Sequence, residues 1–403
     1  MALEKTWRWF GSGDPVTLND LRQMGVEGVV TALHHIPNGA VWPTEEILSV
    51  KRAIEAAGLR WSVVESLPVP EGIKSRSGDW RQLTENYCQS IRNLGRCGID
   101  TVCYNFMPVL DWVRTDLHYR LPGGGEVMHF HFPLFVAFDA FILKRPGAEG
   151  DYPAAVVEEA RHIAARMPEE EAEALAHNLI VRTQAFIDGA VDPAAADYKC
   201  AFLDCIARYR GIDAGALRQH LGDFLRTVVP VAEESGVYLA IHPDDPPFTV
   251  LGLPRIMSTE EDLAWICAQY DSPNNGITFC TGSLSARVDN RVEEMARSLA
   301  PRIRFAHLRN TRLESGGSFY ESGHLEGRVD MYAVVKALLE EQRRRREEGR
   351  ADVRLPFRPD HGIRMLGDFA MEHHPGYPLA GRLKGLAELD GLQQAIGREI
   401  EAR

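Results

Sequence analysis

Short apolar runs alternate along this chain with stretches whose apolar residues recur at three- and four-residue spacing. The runs are Thr6–Gly11, Val26–Leu33, Leu59–Val64, Asp100–Tyr104, Val237–Ile241, Ile277–Phe279, Ile303–Ala306 and Arg354–Arg358. Each has the length of a strand, and most are rich in β-branched or aromatic residues. Helical spacing starts at Asp14-Pro15 and carries Leu18, Leu21 and Met24. It returns over Thr44–Ala57, where Gly58 stops it, and over Trp80–Leu94, Leu221–Glu234, Thr259–Gln269, Arg291–Leu299 and Met331–Gly349. Eight strand candidates alternating with helices predict an α/β chain closed into a (β/α)8 TIM barrel. An open doubly wound sheet is the rival. It usually carries a glycine-rich phosphate turn after its first strand, and Gly11-Ser12-Gly13 is too short for that turn.

The rhythm breaks after Met107. Residues 108–220 are expected to form a long, mostly helical insertion after strand four, lying over the barrel mouth within a single domain of residues 1–403. Gly123-Gly124-Gly125 and Arg145-Pro146-Gly147 mark loops in it, and Glu158–Arg166, Glu169–Ala185 and Asp197–Tyr209 read as helices. The Gly/Ser-rich segment Thr311–Gly327 reads either as a mobile lid or as a plain surface loop.

Composition narrows the function. The formal charge of −12 argues against a nucleic-acid partner and gives no attraction to anionic lipid. No apolar stretch is long enough to span a bilayer. The first residues lack the apolar core of a signal peptide, so a cytoplasmic location is expected. Seven scattered cysteines without a CxxC pair fit reduced thiols. Arg343-Arg344-Arg345-Arg346 lies between glutamate pairs on a predicted helix and reads as a solvated, ion-paired face.

The chemistry gathers where strands end. Val237–Ile241 runs into His242-Pro243-Asp244-Asp245, Gly276–Phe279 into Cys280, Ile303–Ala306 into His307-Leu308-Arg309-Asn310, and Arg354–Arg358 into Pro359-Asp360-His361. In a βα barrel the C-terminal strand ends carry the active site. That edge would also display Trp9, His34, Glu65 and Asn105. Taken singly, Cys280 could be a small buried hydrophobe, His307 a bonded core imidazole and Asp360 a helix cap. Taken together, His242, Cys280, His307 and Asp360 can hold a divalent transition metal with positions open for substrate oxygens. Asp244 and Asp245 would orient His242 from behind. Glu65 and Asn105 either bind substrate hydroxyls or support the ligands. His361 should flank the metal. Tyr377, in the Pro/Gly loop Pro375-Gly376-Tyr377-Pro378, is either packing or a proton-transfer group. Arg309, Asn310 and Arg382 could receive a carboxylate.

These stretches, with Leu33-His34-His35-Ile36-Pro37, Val64-Glu65-Ser66 and Asn105–Trp112, resemble the metal-dependent D-mannonate dehydratases of the xylose-isomerase-like barrel type over nearly the whole chain. The resemblance implies His242, Cys280, His307 and Asp360 as metal ligands, and His361 with Tyr377 as the catalytic pair. It implies Mn²⁺ or Fe²⁺, a homo-oligomer, and conversion of D-mannonate to 2-dehydro-3-deoxy-D-gluconate in hexuronate breakdown. Pro70 stands where the resemblance leads one to expect a histidine. The chemistry agrees with the residues: a cation next to the substrate carboxylate would stabilise charge developing as the C2 proton leaves. The alternatives are a metal-dependent sugar isomerase or epimerase on the same barrel, and a non-catalytic sugar-acid-binding protein.

Overall fold

The strands that form the centre of the molecule are buried on both faces, as their uninterrupted apolar runs require. The structure is a computed structural model describing residues 2–184, 191 and 197–402. Its strands are β1 (Glu4–Arg8), β2 (Gly28–Thr31), β3 (Arg60–Glu65), β4 (Thr101–Tyr104), β5 (Asp116–Arg120), β6 (Glu126–Phe130), β7 (Tyr238–Ile241), β8 (Asn275–Cys280), β9 (Ile303–His307), β10 (Asn310–Leu313), β11 (Phe319–Ser322) and β12 (Pro356–Arg358). Strands β1, β2, β3, β4, β7, β8, β9 and β12 close in that order into one parallel barrel, as predicted. Inside it Val30, Val63, Cys103 and Phe305 pack together. Several helices around it begin at side-chain caps: Asp213 on Ala214–Ser235, Thr259 on Glu260–Gln269 and Asp330 on Met331–Glu347.

The insertion departs from the expectation at both ends. It opens with a hairpin, β5 and β6, whose turn contains Gly123-Gly124-Gly125, with Gly124 at φ 85°. Strand β6 pairs with β11, so two hairpins far apart in sequence form one antiparallel sheet in the order β10-β11-β6-β5. Residues 311–327 are therefore not simply a loop: most of β10 and all of β11 lie in them. The helices Ala154–Arg166, Glu169–His177 and Tyr198–Ala207 follow, so the middle is mostly helical. The second stops at His177 and continues as a wider turn through Arg182; its predicted end, Ala185, lies outside the described residues. At the far end, Ala214–Ser235 is one continuous barrel helix, so residues 214–220 belong to the barrel.

Candidate metal centre and active site

Register places the candidate ligands side by side. Cys280 stands opposite His307 across β8 and β9, and His307 opposite Arg358 across β9 and β12. His242 directly follows β7, its backbone N–H bonded to the Tyr104 carbonyl at 2.7 Å. Its Nδ1 is 2.7 Å from the Pro243 carbonyl and must donate there, which leaves the Nε2 lone pair free. That Nε2 lies 3.2 Å from His307 Nδ1. Two nitrogens bound to one ion at metal–nitrogen distances of about 2.1 Å stand roughly 3 Å apart, so the spacing fits a shared cation. Cys280 Sγ completes a triad whose ligand atoms all lie within 4.8 Å of one another. The sulfur accepts from the Ser283 hydroxyl at 3.1 Å and the Ser283 N–H at 3.5 Å.

Asp360 stands beside this triad. Its Oδ2 is 3.8 Å from His307 Nδ1 and 3.9 Å from Cys280 Sγ. Its backbone is in the left-handed region, at φ 57°, which aspartate enters more readily than most residues. Burial alone would raise the Asp360 carboxyl, but Arg358, whose Nη1 contacts Oδ1, holds it well below the usual range. The donor set, two imidazoles, a sulfur and an ionised carboxylate, fits a divalent transition metal.

Arg358 also grips Glu65, with Nε at 3.0 Å and Nη2 at 2.6 Å. Glu65 lies 3.5 Å from His307 Nε2, so its carboxylate supports the ligands from behind while still bordering the cavity. Asn105 also borders it, its amide donating to Asp111 at 2.6 Å. The cavity has about 60 Å³ of free space, bounded among others by Arg8, Trp112, His242, His361 and Tyr377.

His361 and Tyr377 meet edge to face, ring centres 5.2 Å apart. Burial pushes the His361 pKa down, so the ring is neutral near pH 7. Burial pushes the Tyr377 phenol up to about 12. Arg358 and Arg382 lie against the Tyr377 ring at 5.7 and 4.9 Å.

Three expected carboxylate receivers are placed differently. Arg309 borders the cavity, but its guanidinium is engaged by Asp245, Glu321 and Ser283, with Asp360 3.2 Å from its Nε. Gly282 makes this possible: a Cβ there would stand 2.1 Å from Arg309 Nε. The Asn310 amide is taken up by backbone groups of Thr311, His324 and Val329 and holds the turn into β10. Arg382 lies behind Tyr377, stacked on Trp7 at 3.8 Å. The acids after His242 do not orient its ring. Asp244 accepts from Met257 and Ser258, while Asp245 takes both Arg114 and Arg309.

Two site residues escaped the sequence reading, Arg114 and Glu321. They meet at 2.7 Å although 207 positions apart, and no local pattern announces that pairing. Arg358 did leave a signal: it closes the last predicted strand, at the end of the barrel where sites are built.

Comparison with known proteins agrees with this geometry. A family model described as D-mannonate dehydratase (UxuA) matches residues 3–403. A mannonate dehydratase of Chromohalobacter salexigens is 53% identical over 398 residues, 98% of this chain and 99% of that protein. Mannonate dehydratase 1 of Agrobacterium fabrum is 50% identical over 399 residues, 98% of this chain and 97% of that one. The crystal structure of the mannonate dehydratase from Streptococcus suis serotype 2 superposes with a TM-score of 0.76 at 35% identity, covering 99% of this chain and 96% of that one. Arrangement, sequence and fold therefore converge, and the chain belongs to the D-mannonate dehydratase (UxuA) family.

Proposed function

We propose that this mannonate dehydratase works at the mouth of β7, β8, β9 and β12, with His242, Cys280, His307 and Asp360 as metal ligands and His361 and Tyr377 as the proton-transfer pair. Mn²⁺ is the expected ion and Fe²⁺ the second candidate. The observation that carries this reading is that His242, His307 and Cys280 each bring one ligand atom within 4.8 Å of the others, with His242 Nε2 and His307 Nδ1 3.2 Å apart and the Asp360 carboxylate beside them. The reaction removes the C2 proton of D-mannonate and expels the 3-hydroxyl as water. The enol that remains ketonises to 2-dehydro-3-deoxy-D-gluconate. A bound cation supplies positive charge for the oxygens of the carboxylate end as the C2 proton leaves.

The chain's own groups divide the proton work. Arg309 has no acceptor, so its Nη1, 2.6 Å from His361 Nδ1, must donate there. The neutral imidazole then carries its proton on Nε2 and suits protonation of the departing hydroxyl. Tyr377 is a phenol at rest. Arg358 and Arg382 at its ring lower the cost of a phenolate, which makes it the better candidate to take the C2 proton. Trp112, 5.8 Å from the His361 ring, helps to exclude water. No helix among the described residues is long and apolar enough to cross a membrane. A cytoplasmic homo-oligomer acting in hexuronate breakdown is the setting we propose.

The test joins metal analysis to turnover. Purified protein should hold about one divalent ion per chain and convert D-mannonate to a 2-keto acid. Cys280→Ser, His242→Ala and His307→Ala should each weaken metal binding by more than the roughly 10–100-fold typical of an outer supporting residue. Full metal content in all three variants would remove the proposed cage. Epimerised product without loss of water would favour the isomerase reading, and binding without turnover the carrier reading.

A further inference from the structure

A closed ring of four buried charges links the small sheet to the barrel mouth. Arg114, just before β5, donates to Asp245 Oδ1 at 2.7 Å and Oδ2 at 3.1 Å. The same guanidinium donates to Glu321 Oε1 at 2.7 Å. Arg309 donates to that Oε1 at 2.9 Å and returns to Asp245 through its other terminal nitrogen. Each of the four side chains is at most 4% exposed. The signs alternate and cancel, which is what allows such charges to be buried together.

The ring is tied to the chemistry at one atom. Arg309 Nη1 carries two hydrogens. One is directed at Glu321 and the other at His361 Nδ1. Glu321 Oε1 itself lies 3.3 Å from that Nδ1. Two arrangements of the imidazole therefore compete. With the Arg309 hydrogen on Nδ1, the ring proton is on Nε2. With the guanidinium withdrawn, the ring proton could sit on Nδ1 and donate a hydrogen bond to Glu321 Oε1, and Nε2 would become a bare lone pair. The Glu321 carboxylate, 2.9 Å from Nη1, is the charge placed to hold the guanidinium in the first arrangement.

We infer that Glu321 is a positioning residue: through Arg309 it fixes His361 as the Nε2–H tautomer, and it does so from the small sheet. Glu321 is on β11, and β11 is held by β6 of the other hairpin. Docking of the sheet formed by the two hairpins thus completes a proton donor on the barrel. The inference rests on the reading of His361 as a proton-transfer group.

Two measurements test it on the full-length protein. The first is the imidazole ¹⁵N–¹H spectrum of protein loaded with diamagnetic Zn²⁺, with the His361 signals assigned by their loss in His361→Asn. A proton on Nε2 is expected, and a proton on Nδ1 would overturn the inference whatever the kinetics. The second is Glu321→Gln, which keeps the shape and removes the charge. Its kcat on D-mannonate should fall about 10–100-fold, as for other supporting residues. KM and metal content should stay within about twofold, a split that general loosening of the fold would not give. In a His361→Asn background the same change should cost no more than about twofold, because the residue it positions is gone. An equal loss in both backgrounds would show that Glu321 acts independently of His361 and would also overturn the inference. Glu321→Asp, which keeps the charge but draws it back, is the second variant. It should recover part of kcat and gives the same comparison if Glu321→Gln does not fold. Near-normal turnover by His361→Asn alone would instead remove the proton-transfer role of His361, while the spectrum would still report the tautomer.

Discussion

His361 and Tyr377 each make contacts that a packing residue would not need: a guanidinium aimed at one imidazole nitrogen, and two guanidiniums against one phenol ring. Neither is counted among the metal ligands, so chemistry and metal binding can be separated by substitution. His361→Asn and Tyr377→Phe should retain metal and fold, and each should lower turnover by about 10²–10⁴-fold, the usual worth of a positioned acid or base. Substrate affinity should change much less, because the lost interaction acts chiefly in the transition state. His361 is adjacent to Asp360, so metal content must be measured on the same preparation as kcat. Near-normal turnover in both metal-loaded variants would move the proton-transfer role elsewhere, and Glu65 would be the first residue to consider. Arg309 shows where residue type alone misleads. An arginine at a strand end suits a substrate carboxylate, but here its nitrogens are occupied by Asp245, Glu321, Ser283 and His361.

At the level of elements, the barrel strands were legible because each is a short apolar run closed by a turn or a polar end, and register then aligned Cys280, His307 and Arg358 without further information. The small sheet was not. Asp116–Arg120 alternates in burial as a half-exposed strand should, but the sheet its hairpin belongs to is completed only by β11, almost two hundred positions later. Local patterning cannot report a partner so distant; the glycine-rich turn marks a connection but not the strands it joins. The same limit hid the approach of the C-terminal helix Leu379–Glu401 to the site. Gly381 lies so close to the loop after β12 that a Cβ would meet the Ile363 carbonyl oxygen at 1.8 Å. The obstacle is backbone and cannot rotate away. Gly381→Ala should therefore push the helix off residues that follow Asp360 and His361, with a loss of roughly 1–3 kcal/mol of stability, the cost of overpacking a tight contact. Urea unfolding and metal affinity should fall together. If the variant kept the parent's midpoint and affinity, the helix would not be what presses this loop into place.

Across the whole molecule, buried ionisable groups tie stability to pH in two stages. His324, 3% exposed, donates from Nε2 to the Pro359 carbonyl at 2.6 Å beside the metal loop. It packs against Gly385 of the C-terminal helix, with Glu388, Lys384 and Asp360 the charges nearest it. Burial lowers its pKa, and burial lowers those of His131, His361 and His374 as well. In the unfolded chain these imidazoles take up protons near pH 6.5. The unfolded state then binds more protons than the native state, and stability falls with falling pH. Their contribution is complete above about pH 6.5 and declines below it, by up to about 1.4 kcal/mol per pH unit for each group. Glu321 belongs to the second stage. Burial opposes its ionisation, but Arg309 and Arg114 hold it at about 2, below its ordinary value near 4.5. A depressed carboxyl stabilises the fold fully above its unfolded pKa and loses that effect as pH drops from about 4.5 towards 2. The urea midpoint should accordingly be nearly flat from pH 8 to 7, decline from about 6.5, and steepen below about 4.5. His324→Gln keeps a donor for the Pro359 carbonyl without a titrating ring, so it should make the first decline shallower and leave the second in place. A midpoint that rises between pH 7 and 5.5 would mean that these histidines are charged in the native protein, and the neutral imidazole assigned to His361 would lose its support with them.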